Sequence, residues 1–408
     1  MSVSVEKALT LIHSLTPKRR REFIPIEIAG GRVLAEDVVA RHNLPPFDNS
    51  AMDGYAVCCA DAGKTVLSEH TVLAGDREQV RIAEGLAARI MTGARIPEGT
   101  ECIVPIEEVA PEGEHVTLPE HLQAGQHIRL CGEDIEIGDI LLRQGETLYG
   151  HHITLLASQG ISHICVYQRP RIAIFASGSE LKMHHEQVEA YQLYNTNSPT
   201  FAARATELGC DVHFIGTAAD TLDALLAHIE SALQSDLIVT SGGVSVGDAD
   251  YTKEAFSHFA FEPLFDKVDI KPGKPTTVGQ IGDTLVLNLP GNPMAAALNF
   301  ELFGQALIAT LSGTSAPYQH TVTAKMKHDF VLRPGRRTLL PGFYDGAFFN
   351  VCEKFAPGMI SPLAASNGFI MVDESCAGLA AGDAVRFIPT RFAWRSKTVA
   401  PLTSGARQ

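Results

Sequence analysis

Apolar positions recur along the chain with two periods, near 3.6 and near 2, and the switches between them mark its domains. Residues 1–20 place Val5, Ala8, Leu9, Ile12 and Leu15 on one helical face, with Glu6 and Lys7 between them. This predicts an amphipathic helix and not a signal peptide. Residues 24–40 alternate in a way that allows a short helix over 32–36 and a return strand. Between 55 and 137, strand-like runs near Val57 and over 71–73, 89–91, 101–104 and 115–118 are split by Gly and Pro, which predicts a small β domain. Residues 146–168 return to a helical pattern through Ile153, Leu155, Leu156 and Ile161, and are expected to pack back on the N-terminal segment.

From Arg169 onward, strands and helices alternate. Strands are expected over 172–176, 212–215, 237–239 and 285–289. One helix spans 198–209, with Ser198 as N-cap and Pro199 at its first position; another carries Leu222, Leu225, Leu226, Ile229 and Leu233. A third follows from about Asp250, and a long one starts with Asn292 and Pro293 as N-cap and first residue. The last contains Asn299, Glu301 and Gln305, so it reads as a buried or interfacial helix and not a membrane span. The alternation predicts a doubly wound, mostly parallel α/β sheet, in which ligands bind beyond the carboxyl ends of the strands. Four polar loops occupy those ends: 177–180, Asp220, 241–250 and 290–293. They are expected to converge on one site. Residues from 316 onward are again β-rich and predict a small C-terminal barrel or sandwich.

The stretch 236–254 carries the most chemistry. A short buried strand breaks into a loop with Gly242, Gly243 and Gly247, flanked by Ser241 and Ser245, before a helix begins. Glycine lets backbone N–H groups approach an anion, and the helix N-terminus adds partial positive charge. Asp248 and Asp250 would repel a bare phosphate, but fit one that is bridged by a divalent cation. A glycine-rich turn with two exposed aspartates, one capping a helix, is the alternative. Asp220 reads equally as a cap for a helix starting at Thr221, with Asp223 as partner. Lys271 and Lys274 flank a Pro-Gly turn and supply local positive charge, although surface turns often carry lysines.

Composition narrows the function classes. With 408 residues, two to four domains are expected, and the 45% apolar share is ample for their cores. A net charge of −14 argues against nucleic acid as a partner. The eight cysteines include no C-x-x-C pair, which suits reduced thiols in a cytoplasmic protein. His151-His152 and His184-His185 lack the i, i+4 spacing of a helical metal site.

The motifs together resemble the molybdopterin molybdenumtransferase family, which includes the E domain of gephyrin. They are Pro45-Pro-Phe-Asp-Asn-Ser-Ala-Met-Asp-Gly-Tyr-Ala-Val57, Met91-Thr-Gly-Ala94, Gly132-Glu-Asp-Ile135, Ser241-Gly-Gly-Val-Ser-Val-Gly-Asp-Ala-Asp-Tyr-Thr-Lys253, Ile270-Lys-Pro-Gly-Lys-Pro275 and Leu289-Pro-Gly-Asn-Pro293, in the family's order. The resemblance implies an elongated dimerisation domain from 1–42 and 138–168, an inserted β domain over 43–137, a molybdopterin-binding α/β domain over 169–315, a C-terminal β domain over 316–396 and a tail. It implies insertion of molybdate into adenylylated molybdopterin with Mg²⁺ and release of AMP, in a homodimer away from membranes.

Residue by residue, the resemblance assigns Asp220 and Asp250 to magnesium. It adds Asp53, Thr92 and Asp134, offered to the α/β site of the other subunit, and Glu180, Lys271 and Lys274 as catalytic groups. Ser177, Gly178, Ser241, Gly242, Gly243, Val244, Ser245, Gly247, Asp248, Pro290, Gly291, Asn292, Pro293 and Arg336 would bind substrate. Three positions depart from the usual pattern: Ser179 replaces aspartate, Ala295 replaces serine, and Pro341 stands near an arginine's place. Oxyanion contacts are then expected from the lysines, with Arg336, Arg337, Ser361 or Ser366 as replacements. A non-catalytic scaffold on the same fold is the alternative function. A generic nucleotide-binding enzyme is disfavoured, since no G-x-G-x-x-G or Walker A loop is present.

Overall fold

The computed structural model describes residues 2–243 and 251–391. Val244, Ser245, Gly247, Asp248 and Asp250 of the candidate loop lie outside the described residues. Helix α1 (Val5–His13) is capped by Ser4, whose hydroxyl accepts from the Lys7 N–H at 3.2 Å. It does not pack on the segment around 140–168. Val5, Ala8 and Ile12 enter the core of the α/β unit, and Glu6 pairs with Arg337 of the C-terminal domain.

Strand β1 (Arg21–Pro25) follows. Residues 32–36 are not helical: Val33 and Leu34 bridge to Thr147 and Val166 in extended conformation. The inserted β domain contains β2 (Gly54–Val57), β3 (Thr65–Val72), β4 (Leu86–Ile90), β5 (Cys102–Pro105), β6 (Ala110–Glu112) and β7 (His115–Thr117), in the order β5-β2-β4-β3-β7-β6. Alternate residues feed two cores, Tyr55, Val57 and Val104 on one face and Ala56, Ile90 and Ile103 on the other, so this sheet is covered on both sides.

Only the first part of 146–168 is helical, as α2 (Gly150–Ser158). Its second part is β8 (His163–Tyr167), antiparallel to β1. The β-branched and aromatic residues Ile164, Val166 and Tyr167 favour a strand there. Ile24, Leu34, Leu142, Leu148, Leu156 and Val166 give this piece its own core.

The α/β unit runs β9 (Arg171–Ser177), α3 (Asn197–Glu207), β10 (Asp211–Ala218), α4 (Leu222–Ala232), β11 (Leu237–Ser241), α5 (Tyr251–His258), β12 (Glu262–Phe265), β13 (Ile270–Lys271), β14 (Thr277–Ile281) and β15 (Thr284–Leu289). The long final helix comprises α6 (Pro293–Asn299), a π turn over Phe300–Gly304, and α7 (Gln305–Ser312). It is long and apolar enough to cross a membrane, yet it is mostly buried inside the protein. The sheet order is β10-β9-β11-β15-β14-β12, parallel across the first four strands and antiparallel at the other edge. Ile172, Ile174 and Val239 face α3, α6 and α7, while Ala173, Phe175 and Ile238 face α4 and α5. Since β9 sends α3 to one side and α4 returns to β11 on the other, the topological switch lies between the ends of β9 and β11.

The C-terminal domain has β16 (Val322–Met326), β17 (Arg337–Tyr344), β18 (Phe348–Val351), β19 (Gly368–Val372) and β20 (Ala384–Pro389). Pairing of β17 with both β18 and β19 closes these five strands into a barrel. Strand β13 of the α/β unit adds to the barrel beside β17, with Lys271 opposite Thr338.

Because Ile12 is fully buried in the α/β core, Ile12→Ala should cost about 2–5 kcal/mol. In hydrogen exchange, the loss of protection should appear in β9 and β11 rather than in β1 and β8. The opposite distribution would place α1 with the elongated segment.

Candidate functional site

The site starts from a steric condition at the switch point. A Cβ on Gly242, at φ +96°, would collide with the carbonyl oxygen of Ser177, and one on Gly243, at φ +62°, with the Thr252 hydroxyl. These positions need glycine for both conformation and space. The end of β11 therefore lies directly against the end of β9, with the Ser177 hydroxyl close to both glycines. Thr252 is buried, and among the described residues its hydroxyl has no hydrogen-bond partner.

Two asparagines, which carried no functional signal in the sequence reading, tie the strand ends together. Asn197 donates from Nδ2 to Ser241 Oγ at 3.2 Å and to the Gly291 carbonyl at 2.9 Å. Asn195 donates to Ser198 Oγ and Thr217 Oγ1, both at 3.0 Å, and its Oδ1 accepts from the Ser198 N–H at 3.1 Å. The helix consequently begins at Asn197, one residue before the expected start, and Ser198 is not its N-cap. A polar Asn-Thr-Asn-Ser-Pro run between a strand and a helix was the available clue. Ser177, Ser241, Gly242, Gly243 and Gly291 thus meet at the strand ends, with Gly178, Pro290 and Asn292 next to them in the chain, where the switch point leaves a crevice.

Asp220 is released from a capping role. The Thr221 hydroxyl caps α4 by accepting from the Ala224 N–H, leaving Asp220 half-buried at the end of β10. The neighbouring strand end carries Gly178, whose N–H donates to the Ala218 carbonyl at 3.4 Å. Glu180 is exposed just beyond, its carboxylate packed close to Gly178. No cluster of three metal-ligating side chains occurs among the described residues.

On the basic side, Lys271 is exposed and Lys274 half-buried, and their turn is stitched to the barrel next to exposed Arg336. Arg337 is committed elsewhere, paired with Glu6 and with Asp373 at 3.1 Å. Ser366 is buried and donates to the Leu363 carbonyl. Pro341 is buried in β17 opposite Phe369, and Ala295 is buried in α6. Asn292 and Pro293 do begin α6, although the Asn292 side chain makes no capping bond.

Asp53 and Thr92 come together in the inserted domain. The Thr92 N–H and hydroxyl both donate to Asp53 Oδ1 at 2.7 Å. These two bonds, the backbone one foremost, hold the Asp53 carboxyl below its ordinary range. Asp134 is exposed on an adjoining loop that backbone bonds join to Leu44. A cavity of about 410 Å³ lies elsewhere, where the linkers around Arg169 and Ala316 meet α7.

Replacing Thr92 by valine removes one of the two donors, so the Asp53 pKa should move up toward the ordinary carboxylate value. A carboxyl-carbon NMR titration checks this; an unmoved midpoint would mean the hydroxyl does not hold the charge.

Three stretches match known family regions: "MoeA N-terminal region (domain I and II)" over 3–160, "Probable molybdopterin binding domain" over 173–310 and "MoeA C-terminal region (domain IV)" over 323–390. A molybdopterin molybdenumtransferase of Haemophilus influenzae is 34% identical, across 93% of this chain and 96% of that protein. A molybdopterin molybdenumtransferase 2 of Mycobacterium tuberculosis is 32% identical, across 93% and 97%. A crystal structure of the molybdopterin biosynthesis moeA protein of Pyrococcus horikoshii superposes with a TM-score of 0.84 at 27% identity, across 95% of this chain and all of that one. With this architecture, and with relatives matched end to end, the chain belongs to the molybdopterin molybdenumtransferase (MoeA) family.

Proposed function

We propose that this chain inserts molybdate into adenylylated molybdopterin and releases AMP. The observation that carries this reading is the crevice at the β9–β11 switch point, where glycine backbone, the Ser177 hydroxyl and the Asn197-tethered Gly291 loop adjoin. Backbone N–H groups and hydroxyls in a crevice at strand ends suit a phosphate. The Lys271–Lys274 turn and Arg336 add positive charge for an oxyanion in a chain whose net charge is −14. The tetrahedral molybdate dianion is the substrate, and those cations receive its oxygens.

Mg²⁺ fits the donor set. Asp220 is free of capping duty, and Mg²⁺ ordinarily keeps waters and substrate phosphates beside one or two carboxylates. Asp220 would hold it together with Asp250. When bound, the ion neutralises charge that builds on the adenylate's phosphates. The chain's own residues hold the phosphates, orient them against the Ser241–Gly243 turn and keep the oxyanion on the basic side.

Asp53, Thr92 and Asp134 enter as residues given to the partner subunit's site in a cytoplasmic homodimer. In support, no hydrogen bond or ion pair among those found for the described residues joins the inserted domain to the α/β crevice of its own chain. The ionised Asp53 is then available as an acceptor or base at the assembled site.

A turnover assay with adenylylated molybdopterin, molybdate and Mg²⁺ tests the reading. Wild type should release AMP, and Asp220→Asn should lose at least about 10²-fold in rate while remaining folded. Mixing Asp53→Ala with Asp220→Ala subunits should restore part of the activity through heterodimers that hold one intact site. AMP release that Asp220→Asn leaves unchanged removes Asp220 from the mechanism, and failed complementation after verified subunit exchange removes the shared site.

A further inference from the structure

Asn299 sits in the last turn of α6 and is completely buried. Its Nδ2 donates to the Pro272 carbonyl at 3.1 Å, in the turn between Lys271 and Lys274, and to the Ala295 carbonyl in its own helix at 2.7 Å. Its Oδ1 lies 3.2 Å from the Thr276 hydroxyl, whose one proton is shared with the Gly273 carbonyl at 2.8 Å. Gly273, at φ +107°, has no room for a Cβ, because that atom would overlap the Asn299 amide. One buried amide therefore reads both ends of the lysine turn and fits the space that glycine leaves.

The same helix starts at the Pro290–Pro293 loop of the crevice, about 10 Å up the axis from Asn299. The lysine side chains are long and exposed or half-buried, so only their backbone can fix where their charges begin. On its other side the turn is held by β13 pairing with β17. We infer that Asn299 is a positioning residue for molybdate: it sets the distance between the Lys271–Lys274 turn and the α6 end of the crevice. This rests on the function proposed above and goes beyond it, since Asn299 is buried and touches neither substrate. Its expected signature is specific, because a shift of the turn moves the oxyanion's cations while the β9–β11 crevice keeps its geometry.

Three variants separate positioning from plain stability. Asn299→Ser can keep the bond to the Ala295 carbonyl but cannot reach Pro272; Asn299→Leu loses both; Gly273→Ala retains Asn299 but forces its amide and the turn apart. Each is assayed in the full chain by equilibrium dialysis with molybdate and by turnover, with thermal unfolding alongside. Asn299→Ser and Gly273→Ala should weaken molybdate retention and raise its KM by on the order of tenfold or more, with the KM for adenylylated molybdopterin within about twofold of wild type. Molybdate retention equal to wild type in a folded Asn299→Ser overturns the inference, as does a parallel rise in both KM values. Should Asn299→Leu fail to fold, the serine and Gly273→Ala variants decide alone. A wild type that retains molybdate without turning it over counts against the proposed reaction and leaves the Asn299 comparison to dialysis; a wild type that does neither overturns both.

Discussion

The ends of β9 and β11 can meet only because residues 242 and 243 carry no side chain. Where Gly242 passes the Ser177 carbonyl there is no space for a methyl group, and the same holds where Gly243 passes Thr252. Everything else at the site depends on that approach. Asn197 can bridge Ser241 and Gly291 because the β11 end stays low against β9, and the Cα of Gly242 lies 3.8 Å from where a Cβ on Gly291 would stand. The doubly wound order makes the crevice, and the glycines keep it open for a ligand's backbone contacts.

Around this centre, separate domains are tied to the α/β sheet at distinct points. Helix α1 and the barrel residues Leu339, Phe369 and Ile388 share its core, and Arg337 links Glu6 to Asp373 across the same junction. Strand β13 leaves the α/β unit to join the barrel, so the lysine turn is held by two domains and by the buried Asn299 amide. The inserted domain differs, with two cores of its own and its own Asp53–Thr92 pair.

Much of the sheet was legible in the sequence because its strands are buried on both faces and read as apolar runs such as Ile172 to Ala176 and Leu285 to Leu287. The loops at their ends followed from the topology. Local pattern failed where tertiary pairing decides. Residues 32–36 look helical but serve as bridges to Thr147 and Val166, and 163–167 carry a helical echo yet pair with β1. The placement of α1 was hidden, since an apolar stripe states that a face is buried and not against what. The choice between barrel and sandwich stayed open for the same reason: the β17–β19 pairing that closes the barrel joins residues some thirty apart in sequence. At the site, aspartates drew attention while Asn195 and Asn197 did not, because a short amide has no spacing rule and its value lies in what it bridges. Thr221 took the cap that Asp220 could have supplied, a choice made by backbone geometry and not by residue type.

The most direct measurement of the central claim is a crystal structure of the wild-type protein soaked with adenylylated molybdopterin. The ligand's phosphates should lie within hydrogen-bond reach of the Ser177 hydroxyl and the Gly242–Gly243 backbone, between the ends of β9 and β11. Ligand in the cavity of about 410 Å³ at the domain linkers, with that crevice empty, would contradict the account.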